Sequence, residues 1–284
     1  MRLTIAIITI GLFLGCSSNT PSVIDVVPDS VRVFSSEMAD EYWSQRADSI
    51  NARQALRAYS QLSDQNPGSI SLWSKLSRSF YYSGQYLTSD PVKRDSLFMR
   101  GYEASQSILN ENSQYYNLLF STGDENMAIM GLDEDYIDVL YWGMANYGQW
   151  LSTKGPIVRL GHRDLIWTTL EHVHDLDSSY YFGAYYRYKG ALLARDPENQ
   201  GDTLAIREAF DLAIEIAPDY LGNYTLMAMY YCPLIQDKDL FYTLLTRVVT
   251  SNLDKSLPYY SENIYEKKIA EGLMIKAEKE NWFI

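Results

Sequence analysis

Apolar side chains along this chain recur at intervals of three and four, and no stretch alternates apolar with polar at every second position. A helix needs the first spacing to keep one face buried, whereas a half-buried strand needs the second. The fold is therefore expected to be all-α. Helices fit residues 37–63, 71–83, 92–110, 133–152, 160–176, 179–194, 203–216, 220–231, 238–251 and 262–280, with a loop near Ser121-Thr122-Gly123-Asp124. Asn66-Pro67-Gly68 and Gly155-Pro156 end two of them. Pro197, Pro218, Pro233 and Pro258 punctuate later joints, because proline offers no amide to the helix ladder. Asp133, Glu134 and Asp135 put negative charge at a helix start, where it complements the dipole. Asp202 suits an N-cap.

Helix pairs with short joints suggest hairpins in tandem. Asp175-Leu176-Asp177-Ser178-Ser179-Tyr180 resembles Glu215-Ile216-Ala217-Pro218-Asp219-Tyr220, forty residues further on. In the amino-terminal half, Asp64-Gln65-Asn66-Pro67 and Leu109-Asn110-Glu111-Asn112 stand forty-five apart. Hairpins closed by such turns have the shape of the tetratricopeptide repeat, whose period is ~34, with longer connectors here. The expected architecture is TPR-like helical hairpins packed as an α-solenoid or bundle over residues 37–284.

The amino terminus reads differently. Arg2 supplies a positive charge, and Leu3 to Leu14 is mostly apolar. That run is too short to span a bilayer, which takes ~20 residues, and it suits an export signal over residues 1–15. It ends in Phe13-Leu14-Gly15-Cys16, which resembles the bacterial lipobox, so Cys16 is the expected site of lipid attachment and of membrane anchoring. Residues 16–36 are polar and read as a tether. Ser17 after the lipidated cysteine favours the outer membrane, with the domain facing the periplasm. Lipidation leaves Cys232 as the remaining thiol, so an intramolecular disulfide is excluded.

The formal net charge of −12 argues against a nucleic-acid partner, and 46% hydrophobic residues exclude a disordered chain. His162, His172 and His174 cluster in sequence, yet two positions or ten along a helix point to different sides, so no metal site is expected. Cys232 has no neighbouring histidine and reads as a buried thiol. No phosphate-cradling glycine loop is present. Neither catalysis nor a cofactor is expected.

Twenty-four tyrosines, against nine phenylalanines and six tryptophans, are the unusual feature of the composition, and tyrosine combines apolar area with a hydroxyl. Ile137, Leu140, Tyr141, Met144, Gly148 and Leu151 form one apolar stripe, and Trp142, Asn146 and Trp150 form a second row at i, i+4 and i+8. Such a helix is enclosed by others. Gly143 and Gly148 each cost about 1 kcal/mol relative to alanine, which suggests close approach of a helix or of a ligand. A second aromatic cluster surrounds Tyr185, Tyr186 and Arg187 and could grip an elongated apolar acid. Both sets of residues are consistent with a ligand cavity and equally with packed core.

The stretch from Tyr141-Trp142-Gly143 to Trp150 resembles the central helix of the TatT family, lipoproteins that are the T component associated with TRAP transporters. Tyr181 to Leu192, Ala209-Phe210 to Tyr220, Gln236 to Leu245 and Asn263 to Leu273 follow in the same order, so the resemblance covers about residues 40–280. It implies a periplasmic helical-repeat protein that assembles as a homotrimer, carries a pore or cleft in each protomer, and pairs with a TRAP-type periplasmic substrate-binding protein handling a small hydrophobic ligand. Tyr141, Trp142, Asn146, Trp150, Tyr185, Tyr186 and Arg187 are then the candidate ligand-binding residues. The alternative is a scaffold that holds envelope proteins together and binds no small molecule.

Overall fold

Among the described residues of the computed structural model, eight α-helices start on a short polar side chain that accepts the first free backbone amides: Ser35, Asp48, Ser69, Asp90, Asn112, Asp124, Asp202 and Asp237. Each satisfies a donor that the helix ladder leaves open. The structure describes residues 33–198 and 201–283, so the export signal at residues 1–15 and the lipid attachment at Cys16 lie outside the described residues. Along the described chain run α1 (Ser36–Ser44), α2 (Ser49–Gln65), α3 (Ile70–Tyr86), α4 (Pro91–Glu111), α5 (Ser113–Thr122), α6 (Glu125–Met130) and, after a 3-10 turn, α7 (Ile137–Ser152). Then come α8 (Pro156–Gly161), α9 (Arg163–Leu176), α10 (Tyr180–Arg195), α11 (Thr203–Ile216), α12 (Gly222–Ile235), α13 (Lys238–Thr250) and α14 (Tyr260–Lys279). No strand occurs among the described residues, and the all-α expectation holds. No helix among them is long and apolar enough to cross a membrane.

Successive helices pack as hairpins: α2 on α3, α3 on α4, α10 on α11, α12 on α13 and α13 on α14. The joints repeat at the level of hydrogen bonds. Asp177 and Ala217 each donate an amide back to the preceding helix, and their carbonyls accept the amides of Tyr180 and Tyr220 three residues on, at 3.2 Å in both cases. Asn66 accepts from Ser69 in the same way at 3.0 Å. The same short chemistry thus turns the chain at three hairpins. The Asn112 joint differs, because Asn112 ends α4 and also caps α5 with no connector between them.

Several expected boundaries move. The stretch 37–63 is two helices, broken at residues 45–48, where Asp48 caps α2 and Arg46 turns inward. The loop expected near Ser121–Asp124 is the joint between α5 and α6, two helices that lack a long apolar stripe. Residues 160–176 begin within α8, and α9 starts at Arg163. α12 runs through Pro233 to Ile235 and stops at Gln236, whose φ of 57° ends the helix. One absent amide in the last turn therefore does not stop the helix.

α7 is buried on every side from Val139 to Tyr147, as α3, α4 and α9 enclose it. Its approach to α4 depends on glycine. A Cβ on Gly143 would stand 2.9 Å from Ser105 Cβ, and one on Gly101 would overlap the Asn146 amide. Asn146, fully buried, donates to Ser77 O at 3.0 Å, Ser77 Oγ at 3.1 Å and Trp142 O at 2.8 Å, while Ser77 Oγ donates to Gly101 O and accepts from Ser105 Oγ. Three helices are locked at one point. Gly101→Ala is expected to destabilise the fold by about 1–3 kcal/mol. In an Asn146→Ala background the same change should cost clearly less, because the obstructing amide is gone. Chemical denaturation of the four-member cycle measures the difference, and additive costs would contradict this picture.

Candidate functional site

Arg78, Tyr81, Tyr82, Gln85 and Tyr86 follow one another at i, i+3, i+4, i+7 and i+8, so α3 presents them on a single face. On α14, Glu262 and Glu266 share a face by the i, i+4 rule. Between these two faces, α7 adds Tyr141 and Trp142, and α10 adds Tyr181, Arg187 and Tyr188. Together they surround a cavity of about 50 Å³. That is room for a few waters or a small polar group.

The walls carry buried charge. Arg46 holds Glu262 with two donors, Nε to Oε1 at 3.2 Å and Nη2 to Oε2 at 2.6 Å, and also donates to Pro258 O and Trp43 O. Arg78 Nη2 donates to Glu262 Oε1 at 3.4 Å and to Tyr181 Oη at 3.2 Å. The Arg78 guanidinium lies among Trp43, Trp142 and Tyr181, 4.9–5.2 Å from the ring centres. Such cation–π contacts offset part of the lost hydration. Arg78 Nε and Gln85 Oε1 are buried without a protein partner.

Arg187 is different. It is 2% exposed, yet among the described residues it forms no ion pair. Its donors reach neutral acceptors: Phe182 O at 3.0 Å, Asn223 Oδ1 at 3.1 Å and Tyr141 Oη at 3.1 Å, with Tyr181 O more distant. Tyr220 stacks on it at 4.8 Å. The carbonyls that accept from it belong to a left-handed turn at the start of α10, where Tyr181, Phe182 and Gly183 have φ of 45°, 61° and 77°. For non-glycine residues this conformation costs roughly 1–2 kcal/mol each. Asn223 Nδ2 shares in holding the turn through Phe182 O and Ala213 O. Gly183 cannot be larger, because a Cβ would meet Ala213 Cα and O at 3.0 Å.

Burial raises the phenol pKa of Tyr141, Tyr181, Tyr188 and Tyr220, so these hydroxyls remain neutral. Burial also pushes the Glu266 carboxyl above the usual carboxylate range, against the downward pull of Thr225, Tyr86 and Arg187. Tyr86 Oη donates to it at 2.8 Å, and Thr225 Oγ1 donates as well. Three guanidiniums in and beside the cavity thus face two carboxyls, one of which is biased toward its neutral form.

Of the residues singled out in the sequence, Tyr141, Trp142 and Arg187 converge on this cavity. Asn146 does not reach it, being committed to the α3–α4–α7 junction. Trp150 stacks on Tyr147 under the Lys154 ammonium. Tyr185 stacks on His174 at 3.9 Å, and Tyr186 meets the same imidazole edge-on. The i, i+4, i+8 row of Trp142, Asn146 and Trp150 therefore faces three different neighbourhoods. The histidines also separate: His162 bonds Tyr147 Oη, and His172 bonds Leu132 O. Cys232 is buried, and burial pushes its thiol up to about 12. Arg46, Arg78, Glu262 and Glu266 were not singled out, whereas Tyr181 belongs to the aromatic cluster around Tyr185, Tyr186 and Arg187. The spacing of Arg78 to Tyr86 and of Glu262 to Glu266 carries a usable signal, a polar-aromatic face with helical period. The Arg46 position has none.

A family model described as TRAP transporter T-component (TAtT) matches residues 46–283. Among curated proteins, none matches.

Glu266 makes stability depend on pH. A carboxyl raised above its ordinary value of 4.5 contributes stability that is full below that value and lost as pH rises through the raised one. Glu266→Gln removes this titration and keeps a side chain able to bond Tyr86 and Thr225. The melting temperature of the variant is expected to climb relative to the parent as pH increases above 4.5. Thermal melts between about pH 4 and pH 8 measure it, and a gap that does not vary with pH would refute the assignment.

Proposed function

The chain belongs to the TRAP transporter T-component family, and on that premise we propose that it is a lipid-anchored envelope component of a TRAP-type uptake system. It binds or passes a small hydrophobic or amphipathic ligand together with a TRAP-type periplasmic substrate-binding protein, within a homotrimer anchored through Cys16. The role is one of binding, not catalysis.

One observation carries the ligand part: Arg187 is 2% exposed in an aromatic cavity, forms no ion pair among the described residues, and donates only to neutral acceptors. A buried cation held by neutral acceptors keeps its field, which is strong at low dielectric. An anionic group on the ligand complements it. Small-molecule pockets usually enclose ~300–1,000 Å³, so a cavity of about 50 Å³ suits the head of a ligand. Its apolar remainder needs further room, and movement of the Tyr181–Gly183 turn would relieve backbone strain as it opened. A second reading, the protein scaffold, is favoured by the stacked, exposed Tyr116 and Phe120 beside exposed Met127 and Met130, since aromatic residues and methionine are enriched at interfaces.

Isothermal titration with monocarboxylates of increasing apolar length, and with their amides, separates the two. The acids are expected to bind at least about tenfold more tightly than the amides. Arg187→Lys, checked for folding by thermal melt, is expected to weaken the acids because a point charge replaces the guanidinium fork. Equal binding of acids and amides refutes the ligand reading. Co-purification of a TRAP-type substrate-binding protein without acid binding would leave the scaffold.

A further inference from the structure

The two glycines inside α7 have opposite surroundings. Gly143 is pressed against α4 at Ser105. Nothing presses on Gly148: a Cβ there would find Ile166 Cδ1 as its nearest neighbour, at 4.0 Å. Helix packing therefore explains the first glycine and not the second. Gly148 borders a separate pocket of about 260 Å³, between the carboxy-terminal ends of α7 and α10 and the α8–α9 segment. It shares no lining residue with the central cavity. Its size approaches the lower end of small-ligand pockets, ~300 Å³.

The chemistry of this pocket is two-sided. Leu151, Ile166, Trp167 and Leu192 supply apolar wall. Leu160 is a mostly exposed lip, and the adjacent Ile157 on α8 is 88% exposed. Arg159, Arg163 and Arg195 stand around the same space with a single carboxylate, Asp196. Arg163 is engaged by Asp196 and Glu198. Among the described residues Arg159 and Arg195 form no ion pair, and Arg195 rests over the Tyr230 ring. A local excess of guanidinium beside apolar wall, in a chain of net charge −12, is complementary to a molecule with an apolar chain and an anionic end.

We propose that this pocket binds a monomeric single-chain amphiphile with an anionic headgroup. Its chain lies over Gly148 against Leu151, Ile166 and Leu192, and its carboxylate or phosphate is met by Arg159 and Arg195. The site stands independently of the central cavity.

Dodecanoate, kept below its critical micelle concentration, is the probe, read by isothermal titration against the full folded domain. The parent is expected to bind one equivalent. Gly148→Leu fills the pocket from a position with free space and better helix propensity, so it should weaken binding at least about tenfold while the thermal melt is kept or raised. Arg159→Glu should weaken it by a similar factor, and dodecyltrimethylammonium should bind at least about tenfold less tightly than dodecanoate. Binding that survives Gly148→Leu would locate the acid elsewhere, the central cavity included, and overturns the proposal. Equal affinity for the cationic amphiphile overturns it too. Pelleting with phosphatidylglycerol vesicles tests the membrane as the source: association with vesicles but not with free dodecanoate also overturns it.

Discussion

Glu262 is a buried carboxylate gripped by arginines from the amino-terminal half, and much of the architecture follows from that contact. A solenoid of hairpins ordinarily touches only its neighbours in sequence. Here Arg46, from the break between α1 and α2, reaches α14 across 216 positions. Tyr82 Oη closes onto Arg46 O, Tyr265 Oη onto Ala47 O, and Tyr86 stacks on Tyr265. The first and last hairpins meet. A buried pair of charges gains little net stability over apolar packing, but losing one partner strands the other in a poor solvent. The contact therefore penalises any arrangement in which the two ends fail to meet. It acts on specificity of the closed form more than on its depth in free energy.

Closure creates an interior that a simple stack of hairpins would lack. Its aromatic walls offset the desolvation of Arg78 by cation–π contact and that of Arg187 by carbonyl and phenol oxygens. The Arg187 solution has a structural consequence. Its partners, Tyr181 O and Phe182 O, face the guanidinium because the backbone there is left-handed. Strain in the turn and solvation of the cation support one another. Anything that takes over the solvation of Arg187, an anion above all, weakens the reason for the turn to stay as it is.

The helices were legible because burial imposes a period, and the period survives in the sequence without any knowledge of contacts. Thr203–Ile216 is recovered with its cap at Asp202 because a capping aspartate and an apolar stripe coincide there. The inward turn of Arg46 at the break in residues 45–48 was not legible, since its partner Glu262 lies far away in the chain. The left-handed turn was hidden for the same reason: Tyr181-Phe182-Gly183 has good apolar character for a helix, and only Asn223 and Arg187 reveal its handedness. At the site, Trp142 and Arg187 stood out by residue type. Asn146 and Trp150 stood out by register with Trp142, but register along one helix says nothing about which neighbour covers each turn. α7 is enclosed, so one row can face the central cavity, the α3–α4 junction and the Tyr147–Lys154 surroundings in succession.

The sign of the charges bears on how a ligand would arrive. On the proposed reading the interior attracts an anion, whereas the chain as a whole carries −12. Long-range fields act on encounter rates, and an acidic surface slows capture of an anion from bulk. Screening confines that effect to roughly 8 Å at physiological salt. Affinity is set by the guanidiniums inside and is little changed by the surface. A binder with an attractive interior and a repulsive exterior works poorly as a scavenger. It works well when a docked partner covers the acidic surface and delivers the ligand at short range, where the outer field no longer opposes it. Hand-over within an uptake complex is the arrangement in which this distribution of charge is an advantage.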